Sequence, residues 1–142
     1  MPHQIIEYSS NLEGRIDING LVDAMHHCAA GLEALPIGGL RTRVYPAACY
    51  QIADGHPDNA FIAGYLRIGE GRSLEVREQV GYALFEKLRE YTAEAFAKTP
   101  IALSYEVQEI DPRTRWNHNN LREHMAQRAG ASDAEDAGET SS

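Results

Sequence analysis

AFIAGYLRIGEGRSLEVREQVGYALFEKLREYTAEAFAKTPIALSYEVQ, residues 60–108, holds one complete strand, helix and strand. Ala60 to Ile68 is an apolar run of strand length, and Gly69 and Gly71 then turn the chain. Ser73 is placed to cap a helix, with Glu75 in the first turn where the helix dipole favours an acid. Val80, Leu84, Leu88, Tyr91 and Ala95 recur at helical spacing and make one apolar stripe, and Pro100 stands just past its end. Leu103, Tyr105 and Val107 then alternate with Ser104, Glu106 and Gln108, the pattern of a half-buried strand. The unit is strand, helix, strand.

The preceding residues repeat this unit. His3 to Tyr8 is a strand, and Ser9 to Asp17 is a polar turn. Ile18, Leu21, Val22, Met25, Cys28, Ala29 and Leu32 then share a helical face behind an Asp17 cap. Pro36, Gly38 and Gly39 end that helix, and Leu40 to Ile52 reads as a second strand. Pro46 inside it requires an edge position or a bulge, because proline cannot donate to a ladder. His3 precedes Ile18 by 15 residues and Ala60 precedes Leu74 by 14, so the two units match in length.

Two right-handed crossovers make each outer pair of strands parallel. The expectation is an α+β chain, β-α-β-β-α-β, with a four-stranded mixed sheet and both helices on one face. The other face then carries apolar side chains without cover from the chain, which predicts an oligomer.

The 142 residues hold 13 Lys and Arg against 21 Asp and Glu, a net charge of −8. That balance argues against nucleic acid and anionic membrane surfaces as partners. No run approaches the roughly 20 apolar residues of a membrane span. The N-terminus has neither basic nor apolar leader character, and Cys28 and Cys49 suit a reducing cytoplasm as small hydrophobes. Residues 129–142, AGASDAEDAGETSS, carry four acids and no large apolar group, so they read as a disordered acidic tail after a body of residues 1–128.

Four residues invite chemistry. Methionine ahead of a small residue such as Pro2 is usually removed, which leaves a secondary amine at the head of the first strand. An α-amine titrates near 7.7–8.0, and an apolar pocket or neighbouring arginines lower that, giving a free base near neutral pH. Arg41 and Arg43, two apart on a strand, share a face. They are either a carboxylate clamp or an exposed polar strand face. Arg72 precedes the Ser73 cap, and is either part of an anion site at a helix N-terminus or a solvated arginine in a glycine turn. The GK[ST] ending of a P-loop is lacking. Metal-ligand spacing and a nucleophile elbow are also missing: His26, His27 and Cys28 point apart on a helix, His118 and His124 lack a second pair, and no CxxC, HExxH or GxSxG occurs. Glu106 and Glu109 read as solvated, and Trp116 to Leu121 as a subunit contact.

In this order and spacing, MPH at the start, GLRTRV (39–44), QIADG (51–55), the strand from Ala60, GRSLE (71–75) and LSYEVQEIDP (103–112) carry a resemblance. The chain resembles the 5-carboxymethyl-2-hydroxymuconate delta-isomerase family of the tautomerase superfamily, across nearly all of residues 1–128. The resemblance implies a tautomerase-like domain in a homotrimer, needing no metal and no cofactor. It implies Pro2 as the catalytic amine and Arg41 and Arg72 as substrate-binding arginines; Arg43, on the same strand face, is a further substrate-binding candidate in place of Arg41. The implied activity is ketonisation of an unsaturated 2-hydroxy polycarboxylate in aromatic-compound catabolism. The alternatives are another reaction of the superfamily, decarboxylation or dehalogenation, and a non-catalytic trimeric ligand-binding protein.

Overall fold

In the computed structural model the backbone of residues 1–140 and the side chains of residues 1–131 are described. The elements run β1 (His3–Ser9), α1 (Ile18–Ala30), β2 (Arg41–Ala47), β3 (Ala60–Gly69), α2 (Leu74–Lys98), β4 (Ile101–Ile110) and α3 (Leu121–Thr140). Both expected caps form: the Asp17 carboxylate accepts from the Gly20 N–H, and the Ser73 hydroxyl from the Val76 N–H.

The sheet is ordered β2-β1-β3-β4. β1 runs parallel to β2, β3 runs parallel to β4, and the two units join through antiparallel β1 and β3. Pro46 lies on the edge strand, where its missing N–H costs no ladder bond. The second strand ends at Ala47, not at Ile52. A turn network accounts for the early end. Asn59 Nδ2 donates to the Ile52 carbonyl and to Asp54, and Ala53 and Gly55 take positive φ of 52° and 84°.

Alternation places Ile6, Tyr8, Ile62, Leu66 and Ile68 beneath the helices, where they pack with Leu21, Met25, Leu84 and Leu88. Gly64 is required in that layer because the Tyr105 ring lies where its Cβ would be. The one strongly polar member is Gln4, fully buried. Its amide donates to the Met25 carbonyl and Thr42 Oγ1, each at 3.1 Å, and accepts from Tyr105 Oη at 2.9 Å. A buried amide with these partners fixes four elements to one another two residues after Pro2.

The opposite face is built from His3, Ile5 and Glu7 of β1 and, in register beside them, Arg41, Arg43 and Tyr45 of β2. Across β1 they face Arg67, Tyr65 and Ala63 of β3. All of these are exposed or half-buried in the single chain.

After β4 the chain turns at Asp111 and enters α3, where Asn119 Oδ1 accepts from the Leu121 N–H. Composition predicts irregular chain from residue 129, whereas the backbone stays helical to Thr140. The physical reason is local: alanines at 126, 129, 131, 134 and 137 favour the helix without needing a buried face. Residues 126–131 are exposed, and the side chains beyond them lie outside the described residues.

Candidate active site

The site forms where β1 starts. Pro2 is buried, and its carbonyl accepts from the Arg41 N–H at 3.1 Å, so the first residue of a mature chain is held by the sheet. In the full sequence Met1 precedes it. The Met1 thioether lies against Gly39 and accepts from Asn119 Nδ2 at 3.4 Å; a Cβ on Gly39 would come within 2.8 Å of that sulfur. Gly39 therefore leaves the space into which the N-terminus fits.

The N-terminal amine at Met1 is held below its ordinary value, first by burial and then by Arg115, Arg72 and Arg41. Of the arginines singled out in the sequence, Arg41 and Arg72 thus both act by their charge on the N-terminus. Arg43 stands one row along the same face. Arg115 also acts there, and sequence reasoning missed it because nothing in DPRTRW gives its direction.

Arg72 is not the solvated arginine of a glycine turn. Its Nε and Nη2 donate to the Ala34 carbonyl at 2.9 and 2.7 Å, and Nη1 donates to the Gly69 carbonyl at 3.0 Å. A guanidinium has five N–H donors, so two remain for an anion. Gly71, with φ of 117°, supplies the turn that brings it there.

Arg41 donates to His3 instead of standing free, and Arg43 lies against the other side of the same ring. Arg41 Nη1 lies 2.9 Å from His3 Nε2, and Arg43 Nη1 lies 3.4 Å from Nδ1. Both arginines only donate, so the shorter contact assigns the imidazole lone pair to Nε2. Burial first, then Arg41, Arg43, Arg115 and Arg67, pulls His3 down from 6.5 to about 4. As pH falls below 6.5 the unfolded chain takes up this proton before the folded one does. Stability from this group is therefore full above 6.5 and declines down to about 4. Melting curves of the native chain and of His3→Asn across that window should diverge, with the variant losing less on acidification. Parallel curves would show that His3 is not held neutral.

His3, Arg41, Arg67, Ile110, Arg115 and Trp116 line a cavity of about 330 Å³. Elsewhere, His26 Nδ1 is bound to Thr42 Oγ1 at 2.8 Å. Glu106 and Glu109 are exposed, as expected; Glu109 pairs with Arg77 at 3.4 Å and Glu106 accepts from Gln108. Among the described residues no helix is long and apolar enough to cross a membrane.

The family model for 5-carboxymethyl-2-hydroxymuconate isomerase matches residues 2–125. The 5-carboxymethyl-2-hydroxymuconate Delta-isomerase of Escherichia coli is 37% identical over 121 residues, 85% of this chain and 96% of that protein. The crystal structure of a 5-carboxymethyl-2-hydroxymuconate isomerase from Deinococcus radiodurans R1 superposes with a TM-score of 0.81 at 34% identity. It covers 87% of this chain and 93% of its own. A second 5-carboxymethyl-2-hydroxymuconate delta-isomerase structure gives 0.80 at 26% identity, over 88% of this chain and 93% of that one. The match runs from Pro2 through both strand-helix-strand units and into α3, and on it the chain belongs to the 5-carboxymethyl-2-hydroxymuconate isomerase family of the tautomerase superfamily.

Proposed function

We propose that this chain, once Met1 is removed, ketonises an unsaturated 2-hydroxy polycarboxylate of the 5-carboxymethyl-2-hydroxymuconate type, in the cytoplasm and within aromatic-compound catabolism. The observation that carries the reading is an N-terminus pinned at the head of β1, where burial and the charges of Arg115, Arg72 and Arg41 disfavour an ammonium.

The neutral Pro2 nitrogen accepts the proton of the 2-hydroxyl group. The electron pair of that O–H bond becomes the carbonyl, and the double bonds shift along the conjugated chain. The Pro2 ammonium then gives the same proton to a conjugated carbon, so the nitrogen ends as it began and no oxidant or reductant is consumed. Between the two transfers the dienolate carries one more negative charge than the substrate. Fixed guanidinium groups at Arg41 and Arg72 oppose that charge without reorganising, which is where electrostatic catalysis is largest. Arg43 stands beside Arg41 on the same sheet face. The same arginines make a free amine at Pro2 easier to reach near neutral pH.

The sheet face that carries no helix, with Ile5, Tyr45, Phe61 and Tyr65, supports a homotrimer packed through its sheets. We place the whole activity in residues 1–128 and none in residues 129–142.

Ultraviolet-monitored ketonisation of 5-carboxymethyl-2-hydroxymuconate tests the reading. A chain beginning at Pro2 should turn over well above the rate in buffer, and a chain ending at Arg128 should match it. No turnover by either would overturn the reaction, and loss only on truncation would give the tail a role.

A further inference from the structure

We propose that Arg67 and Arg115 form a second carboxylate subsite, in the cavity beside His3 and Arg41, that binds the carboxylate-bearing arm of a polycarboxylate substrate. The inference deepens the reaction proposed above and rests on it for the identity of the arm.

Three adjacent strands set up the row. His3 is in register with Arg41 on one side and with Arg67 on the other. Arg115 arrives from the segment after β4 and joins them, with Ile110 and Trp116, around the same 330 Å³ cavity. No acidic side chain is among its lining residues. The nearest acid along that segment, Asp111, is turned to Arg113, with contacts of 3.0 and 3.1 Å to its guanidinium. Within one chain and among the described residues, Arg41, Arg67 and Arg115 make no ion pair, and Arg67 and Arg115 spend no side-chain donor.

Unpaired guanidinium groups gathered in one small concavity repel one another. In a chain of net charge −8 such a gathering is a local device and not a consequence of composition. An anion relieves that repulsion, and a carboxylate matches the guanidinium fork. Arg72 lies outside this lining, tied to Ala34 and Gly69, so it serves a different carboxylate. Arg115 also acts on the N-terminal amine, which keeps the subsite near the reacting atoms.

Trp116 is the only tryptophan, 86% exposed on the cavity wall, and so reports its occupancy. The probe is propane-1,2,3-tricarboxylate, added to a chain beginning at Pro2, with affinity read by equilibrium dialysis and site by Trp116 emission. Saturable binding with a change in emission is expected. Arg67→Gln and Arg115→Gln should each weaken it about tenfold or more, as for loss of a charged hydrogen bond. Arg115→Lys should recover part of the loss. Arg89→Gln, which removes the same charge from the exposed Arg89–Glu86 pair on α2, should change affinity less than twofold. Melting curves establish that the variants fold, as expected for side chains that hold nothing else in place.

Equal losses in all three glutamine variants, unchanged affinity in Arg67→Gln and Arg115→Gln, or binding that leaves Trp116 emission unaltered would overturn the subsite. The two proposals fail separately. Arginine-dependent binding without ketonisation keeps the subsite and removes the reaction. Ketonisation with undiminished tricarboxylate affinity in both variants keeps the reaction and removes the subsite.

Discussion

A chain that keeps Met1 should ketonise 5-carboxymethyl-2-hydroxymuconate at least about 100-fold more slowly than one beginning at Pro2, the low end of what a positioned acid–base group contributes. Three effects act in the same direction. Acylated by Met1, the Pro2 nitrogen is a tertiary amide and no longer a base. The primary amine that replaces it stands one residue away, up to about 3.8 Å along the chain, a displacement large against the tolerance of proton transfer. The Met1 side chain also fills the space beside Gly39 and takes the Asn119 Nδ2 donor. Steady-state rates of the two forms, with the N-terminus of each verified by mass, decide the matter. Pro2→Ala separates the effects further: its free primary amine stays at the correct position, so it should fall between the two. On the alkaline side the rate of the mature chain should reach its plateau below the pH of an ordinary α-amine, if the burial and the arginines that lower the Met1 amine one residue away act in the same direction on Pro2. Equal rates for the blocked and free chains would take Pro2 out of the mechanism.

Most of the architecture was legible because it follows from two periodicities. Ile6, Ile62, Leu66 and Leu103 alternate, and Leu21, Met25, Leu84 and Leu88 recur at helical spacing; these are the residues found in the core or packed against it. The end of β2 was not legible, since Cys49 to Ile52 are apolar enough to continue a strand and the deciding contact, Asn59 to Ile52, reaches back over seven residues. The α3 helix was missed for the opposite reason. Low apolar content speaks to burial and is silent on alanine-rich backbone preference.

The site divides along the same line. Pro2, Arg41 and Arg72 stand at positions with local meaning, a chain start, a strand start and a cap. His3 and Arg67 acquire meaning only when antiparallel register places one opposite the other. Arg115 belongs to a segment without periodicity, and only the folded chain returns it to the N-terminus.

Arg72→Ala should be the most damaging single side-chain change after the loss of Pro2, and it should act through two separable routes. As a substrate group, removal of a fixed cation from a developing dienolate costs on the order of 100- to 1000-fold in rate. As a structural tie, it abandons three hydrogen bonds and leaves the Ala34 and Gly69 carbonyls without their guanidinium partner, which costs about 1–3 kcal/mol for a polar group so orphaned. Arg41→Ala provides the contrast. Its backbone N–H, which holds Pro2, survives the substitution, and its side chain reaches only His3, so activity should fall while the melting temperature barely moves. Arg72→Lys keeps the charge but cannot span two carbonyls as a fork does, so it should melt early and retain more activity than alanine. Rates measured well below the melting temperature isolate the first route, and melting curves isolate the second. If Arg72→Ala melts early yet turns over normally in the cold, Arg72 is only the tie between Ala34 and Gly69. The dienolate charge would then fall to Arg41.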